Sequence, residues 1–245
     1  MAVKFTYHGG MTMLIERGDG YKIICDPFIS NNPAAVAKPE DFYDVDLVIV
    51  THAAFDHFGD TAEIMKNSNA VLIAGSDVIR MVEAVTGPLD PSRKRLTIYG
   101  DELHYGETTV RTVMAWHCSN SKQNGVTTSS EPFGYIVNVE KNVTYYHAGD
   151  TSLFTDMKLI RELYKPNVMA VGISRISEEY ACELNPKEAA FATSWIGPDV
   201  VVPTHYAPGS PALDEYLKCM DVLSPNTCIK TAIGRPFTYK PYVVE

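Results

Sequence analysis

Long runs of lysine and arginine are missing from this chain, the three residues Arg93-Lys94-Arg95 being the longest. Its 21 Lys and Arg are outnumbered by 30 Asp and Glu, for a formal net charge of -9. Phosphate-backbone binding relies on clustered cations, which argues against nucleic acid as the main partner. No apolar stretch approaches the roughly 20 residues that a membrane-crossing helix needs, and Met1 to His8 lacks the charged-then-apolar pattern of a secretory leader. Together these absences predict a cytoplasmic protein with no membrane partner. Cysteine is sparse and unpatterned: Cys25, Cys118, Cys182, Cys219 and Cys228 are odd in number, widely spaced and free of any C-x-x-C pair. That fits neither a disulfide framework nor a cysteine zinc ribbon, and reduced thiols are expected. Internal repeats, low-complexity segments and composition breaks are missing too. With 245 residues, 45% of them hydrophobic, the chain can bury a large core, and a single domain over 1–245 is expected.

What is present is strand punctuated by turns. Val3 to Tyr7, Met11 to Glu16 and Tyr21 to Cys25 are short strand-like runs separated by Gly9-Gly10 and Gly18-Asp19-Gly20, which predicts an antiparallel meander. Ser30 to Glu40, with two Asn and two Pro, reads as a loop without helix or central strand. From Asp46 strands alternate with helices: Leu47 to Val50, a helix from about Gly59 to Lys66, Ala70 to Ala74, and a helix from about Asp77 to Val85, so this sheet is partly parallel. Leu96 to Tyr99, Glu102 to Tyr105, Thr108 to Ala115, Phe133 to Val139 and Val143 to Tyr146 predict a second antiparallel group. Alternation then resumes with helices around Leu153 to Tyr164, Pro186 to Trp195 (N-cap Asn185) and Leu213 to Leu223, and strands Val168 to Val171 and Val200 to Pro203. Two strand groups, each trailed by helices, predict two mixed sheets with helices outside them.

Chemistry collects at strand ends. The apolar run Leu47 to Val50 leads into Thr51-His52-Ala53-Ala54-Phe55-Asp56-His57, which puts two imidazoles and a carboxylate within six residues. Neutral imidazole and ionised carboxylate are common ligands for zinc and similar ions. The same loop can also be read without metal, with His52 closing the strand and Asp56 capping a helix that starts near His57. Three further strands end in such residues: His117 after Thr112 to Trp116, Asp150 after Val143 to Gly149, and His205 after Val200 to Thr204. One polar residue behind a strand is unremarkable, whereas the repetition calls for a common cause.

His52-x-x-x-Asp56-His57, then His117, then Asp150 within His147-Ala148-Gly149-Asp150-Thr151, then His205, resemble in kind and order the metallo-β-lactamase superfamily. More closely, Tyr7-His8-Gly9-Gly10, Asp26-Pro27-Phe28-Ile29-Ser30-Asn31-Asn32-Pro33, Ala115-Trp116-His117 and Tyr146 to Thr151 are similar to the UlaG-like metal-dependent hydrolases, a group that includes L-ascorbate-6-phosphate lactonase. The resemblance implies an α+β fold, a four-layer αββα sandwich of two mixed sheets with helices outside and the site at one edge. It implies one or two divalent metal ions per chain, zinc or manganese with iron also admitted. His52 and His117 would serve the first ion, Asp56, His57 and His205 the second, with Asp150 bridging. The superfamily's motif is H-x-H-x-D-H, and Ala54 stands where its second histidine belongs. An alanine methyl offers no lone pair, so three outcomes stay open: a vacant or weak first site, a water or substrate atom in the gap, or His8 turned inward.

The implied chemistry is hydrolysis by a metal-activated water. Asp56 would orient that water or take its proton, and so is the catalytic candidate. Asp26 and His147 would hold ligand rings and loop backbones in place. His8 would touch those ligands or the substrate, and the Arg175 guanidinium would suit a substrate carboxylate or phosphate, although a solvated surface arginine reads equally well. Ser119 to Ser130, rich in Ser, Thr, Asn and Gly, is expected to form a mobile rim. The expected partner is a small molecule, a lactone, cyclic amide or phosphodiester; the alternatives are a metal-binding or ligand-sensing protein impaired at Ala54, or a nucleic-acid phosphodiesterase. A homo-oligomer is left open.

Overall fold

The computed structural model describes residues 2–123, 125–174 and 182–241. Strands β1 (Val3–Tyr7), β2 (Met13–Glu16) and β3 (Lys22–Cys25) come first, then β4 (Leu47–Ile49), α1 (Phe55–Phe58), α2 (Thr61–Asn67), β5 (Val71–Ala74), α3 (Ser76–Thr86) and β6 (Lys94–Leu96). Next are β7 (Glu102–Tyr105), β8 (Thr108–Met114), β9 (Ser119–Gln123), β10 (Val126–Ser130), β11 (Phe133–Glu140) and β12 (Val143–His147). The remainder runs α4 (Met157–Tyr164), β13 (Val168–Gly172), α5 (Pro186–Ile196), β14 (Val200–Thr204), α6 (Ala212–Leu223), β15 (Cys228–Ile229) and β16 (Phe237–Tyr239).

These elements form two compact units, residues 1–101, 118–132 and 232–245 in one and 102–117 and 133–231 in the other. The first is built on a seven-stranded sheet in the order β16-β1-β2-β3-β4-β5-β6. The glycine-rich turns join β1, β2 and β3 as the expected antiparallel meander, and β3 to β6 are parallel because helices or loops return the chain between them. Leu47, Val48 and Ile49 are all fully buried, as a parallel strand covered on both faces requires. Ile24, Phe42, Val48, Ile64, Leu72 and Val78 share its core.

The second unit repeats the plan in the order β15-β14-β13-β12-β11-β8-β7. Strands β7, β8, β11 and β12 are antiparallel and β12 to β15 parallel. Its core joins Ile136, Tyr146, Met169, Val201, Ala189 and Tyr216. Helix α5 starts as expected: the Asn185 side chain accepts from Glu188 N–H, Glu188 answers from its own carboxylate, and Pro186 fills the first turn where no N–H is needed.

Four local expectations are corrected. The strand expected at Leu96 to Tyr99 lies earlier, at Lys94–Leu96, because Ile98 N–H donates to the Asp101 carboxylate and Asp101 N–H to the Ile98 carbonyl, closing a turn instead of a ladder. The Ser30 to Glu40 loop runs into a single 3-10 turn at Pro39–Phe42, where proline again occupies the start. Helix α4 begins at Met157, after a turn, and not at Leu153. Ser119 to Ser130 is no loose rim: it is the β9–β10 hairpin, and Ser119 Oγ accepts from Ala53 N–H at 3.0 Å and donates to the Asp77 carboxylate. Gly125 as turn residue, with Val126, Thr127 and Thr128 following it, suits a two-stranded ribbon better than a free loop.

Between α1 and α2 the chain passes tightly against the Asp26-Pro27-Phe28 segment. Gly59 there has φ +37°, and a β-carbon on it would fall 2.4 Å from the Pro27 carbonyl oxygen, while Asp60 N–H donates to that same oxygen at 2.7 Å. Both the positive φ and the clash are with backbone, which cannot swing aside. Gly59→Ala should therefore cost about 2 kcal/mol or more and lower Tm by several degrees in a chain of this size; an unchanged melting curve would show that the two segments part easily. Among the described residues no helix is long and apolar enough to cross a membrane, and none of the five cysteines is disulfide-bonded.

Candidate functional site

In the first unit the chemistry sits where β3 and β4 end side by side. Asp26 follows β3, Thr51 and His52 follow β4, and Asp26 N–H donates to the Ile49 carbonyl at 2.9 Å. Asp26 is fully buried. Its Oδ1 accepts from Thr51 N–H at 2.8 Å, while Oδ2 accepts from the Thr51 hydroxyl at 2.8 Å and faces His57 Nδ1 at 2.9 Å. Thr51 Oγ1 is also 3.1 Å from the Nδ1 atoms of both His52 and His57. A threonine hydroxyl has one hydrogen, and as a carboxylate Asp26 only accepts. Once that hydrogen is given to Asp26, Thr51 Oγ1 can only accept from the two Nδ1–H groups. The lone pair of each imidazole then lies on Nε2, the form a metal ligand needs.

The two rings are 4.1 Å apart centre to centre, and the ligand atoms of His52 and His57, and of Asp56 and His57, approach within 4.8 Å. Asp56 does not cap the helix: α1 begins after Ala54, whose carbonyl accepts from His57 and Phe58 N–H, and Asp56 lies inside its first turn. Ala54, at the position of the missing histidine, thus serves the helix through its backbone.

In the second unit, β8, β12 and β14 deliver His117, Asp150 and His205 from their C-terminal ends, the edge at which sheets of this kind place reactive groups. Trp116 N–H donates to Thr151 Oγ1 at 2.8 Å and Ser152 N–H to the Trp116 carbonyl at 2.9 Å, which ties the His117 and Asp150 segments together. Asp150 Oδ2 lies 3.5 Å from His205 Nε2 and 3.9 Å from His117 Nε2. His205 takes φ +58°, uncommon for a residue with a β-carbon and often found where function fixes the backbone.

Glu183, not foreseen as a site residue, belongs to this group. Its Oε2 lies 3.9 Å from His205 Nδ1, and its carboxylate comes within ligand range of His117 and Asp150. Cys182 donates its thiol to Glu183 Oε2 at 2.9 Å, and burial, reinforced by that carboxylate, pushes the thiol up to about 11. The visible signal was a stretch of glutamates ending at Glu183; its place beside a histidine 22 positions later was not readable.

The other expected residues fall elsewhere. His147 is buried with Nδ1 2.7 Å from the Tyr145 hydroxyl. Arg175 lies outside the described residues. His8 is buried edge-on to Phe42, ring centres 5.1 Å apart, and neither ring nitrogen has a hydrogen-bond partner among the described residues. Burial lowers its pKa from 6.5 to about 4, against the weaker pull of Asp41 and Glu16.

His8 therefore makes stability pH-dependent. Its folded-state pKa is depressed, so the unfolded chain binds the extra proton first, and stability present above about pH 6.5 is lost as pH falls towards 4. At about 1.4 kcal/mol per pH unit the loss is roughly 3 kcal/mol. His8→Leu should match the parent near neutrality and unfold at higher urea than the parent near pH 4.5. Equal pH slopes in the two proteins would contradict this.

Two mixed sheets with associated helices, ending in clustered histidines and carboxylates, define the metallo-β-lactamase fold. The Beta-lactamase superfamily domain matches residues 21–206. The metallo hydrolase Igni18 from Ignicoccus hospitalis is similar in structure, with a TM-score of 0.81 and 26% identity over 99% of this chain and 100% of that one. In sequence, the UPF0173 metal-dependent hydrolase of Thermococcus kodakarensis is 39% identical over 83% of this chain and 84% of its own length, and that of Rubrobacter xylanophilus 31% over 85% of both. The chain belongs to the UPF0173 metal-dependent hydrolase family within that superfamily. Membership implies a divalent metal, and the donor chemistry fits one: imidazoles with Nε2 lone pairs in the first unit, and two imidazoles facing one carboxylate in the second.

Proposed function

We propose that the protein is a hydrolase of small anionic or cyclic molecules, with lactones preferred over cyclic amides and these over phosphodiesters, similar in this to the UlaG-like enzymes. His52, Asp56 and His57, with His117, Asp150 and His205, hold its one or two divalent ions, of zinc, manganese or iron. A bound ion supplies a lowered water pKa and polarises a carbonyl or phosphoryl oxygen. Asp56 accepts the proton of the attacking water on its carboxylate. Asp26 and Thr51 keep the His52 and His57 tautomers in place, and Asp150 carries negative charge to offset a cation held between it and the facing imidazoles. The protein acts in the cytoplasm as one domain, a reading supported by a family match that runs through both compact units.

The observation that carries this reading is the pair of imidazole nitrogens, from strand ends 88 positions apart in sequence, facing Asp150 Oδ2. The net charge of -9 favours a small substrate over nucleic acid. Ala54 supports a second reading, a metal-binding sensor with little turnover. Elemental analysis together with a panel of lactones, cyclic amides, esters and phosphodiesters tests both. Stoichiometric metal with lactone turnover is expected; bound metal without turnover on any member would favour the sensor, and no metal would sink both.

A further inference from the structure

Glu183 stands apart from the ligand sets that the motif order supplies, yet within the second unit it lies among them. Ligand atoms of Glu183, Asp150 and His117 are all within 4.8 Å of one another, and Glu183 Oε2 is 3.9 Å from His205 Nδ1. Donors of a tetrahedral centre with bonds of about 2.0–2.2 Å sit roughly 3.3–3.6 Å apart, so the 3.9 Å between Asp150 Oδ2 and His117 Nε2 needs only a small contraction to close on an ion.

The backbone holds Glu183 in this position. Ser174 N–H, just beyond β13, donates to the Leu184 carbonyl at 2.9 Å, Leu184 is buried in the core, and Asn185 caps α5. Glu183 is thus fixed between a strand end and a helix start, and its φ of +54° is a conformation that side-chain-bearing residues adopt at a cost.

We propose that Glu183 is a metal ligand, joining His117 and Asp150 in a set of one imidazole and two carboxylates that takes a divalent cation of the Mn2+ kind. The proposal rests on the metal reading above. It gives the second unit's cluster an extra donor, an anionic oxygen. Oxygen-rich sets suit Mn2+ better than the nitrogen and sulfur sets typical of structural zinc.

The test uses the full-length chain, stripped by chelator and titrated with MnCl2, with free and bound Mn2+ followed by electron paramagnetic resonance. The parent, Asp150→Ala, Glu183→Gln and Glu183→Asp are compared, with circular dichroism of each metal-free protein. Glutamine keeps the size and an acceptor for the Cys182 thiol, so a purely hydrogen-bonding Glu183 would leave Kd unchanged. Glu183→Gln is expected to raise Kd at least about tenfold and to alter the bound signal, with Glu183→Asp, which keeps the charge but shortens the reach, in between. Should glutamine prevent folding, the aspartate variant decides by the same measure. Parental Kd and spectrum in the Glu183 variants, with binding lost in Asp150→Ala, would overturn the role of Glu183 alone. No Mn2+ bound by the parent would overturn the Mn2+ site, and no metal of any kind would take the wider reading with it.

Discussion

Asp150→Ala is expected to lose the bound divalent metal and at least about a thousandfold in hydrolytic rate, roughly 4 kcal/mol of transition-state stabilisation. The reason is geometric. One oxygen, Oδ2, faces Nε2 of His205 at 3.5 Å and of His117 at 3.9 Å, so one truncation removes an anion that both imidazoles share. Two rings and one remaining carboxylate form a weaker site, with less charge to offset a dication. The substitution follows the end of β12 and removes no core hydrophobe, so the fold should persist. Elemental analysis and turnover read the outcome, and parental metal content in a folded Asp150→Ala protein would remove Asp150 from the ligand set.

Asp26→Ala should produce the largest loss of stability. The Asp26 carboxylate is wholly buried and receives the Thr51 amide, the Thr51 hydroxyl and His57 Nδ1. Removing it strands buried donors, at a cost of about 3–5 kcal/mol, which is roughly 10 °C in Tm for a chain of this length. The His52 and His57 tautomers are then no longer dictated, and metal affinity should fall about ten- to a hundredfold. Asp26→Asn keeps the shape but must present an amide N–H to one of these donors, so it should fall between. Urea unfolding and metal titration measure the two effects separately. Parental stability in Asp26→Ala would mean that water replaces the carboxylate at no cost.

Much of this was legible beforehand because strand ends leave a clear trace. Leu47 to Val50, Val143 to Tyr146 and Val200 to Pro203 are apolar runs that break into polar residues, and the structure puts strands there and His52, Asp150 and His205 just beyond. The meander, the change to parallel pairing and the α5 cap at Asn185 follow from turn residues, alternation and capping chemistry, all local in sequence. The misplaced strand at Leu96 to Tyr99 failed because Asp101 competes for the backbone through its side chain, which periodicity does not register. The supposed rim at Ser119 to Ser130 failed because polar composition was read as looseness, although Ser119 is tied to Ala53 and Asp77, distant in sequence.

The chain alone determined which residues could be ligands, since only imidazoles, thiols and carboxylates carry suitable lone pairs, and the family order of those residues, along with the gap at Ala54. Folding decided which of them meet. Asp26 rather than a nearer residue orients His57, Glu183 joins His205, and His8 is set against Phe42 with no hydrogen bond to either nitrogen among the described residues. Distances of a few ångströms between residues tens of positions apart depend on register and loop path, which residue type and spacing do not encode.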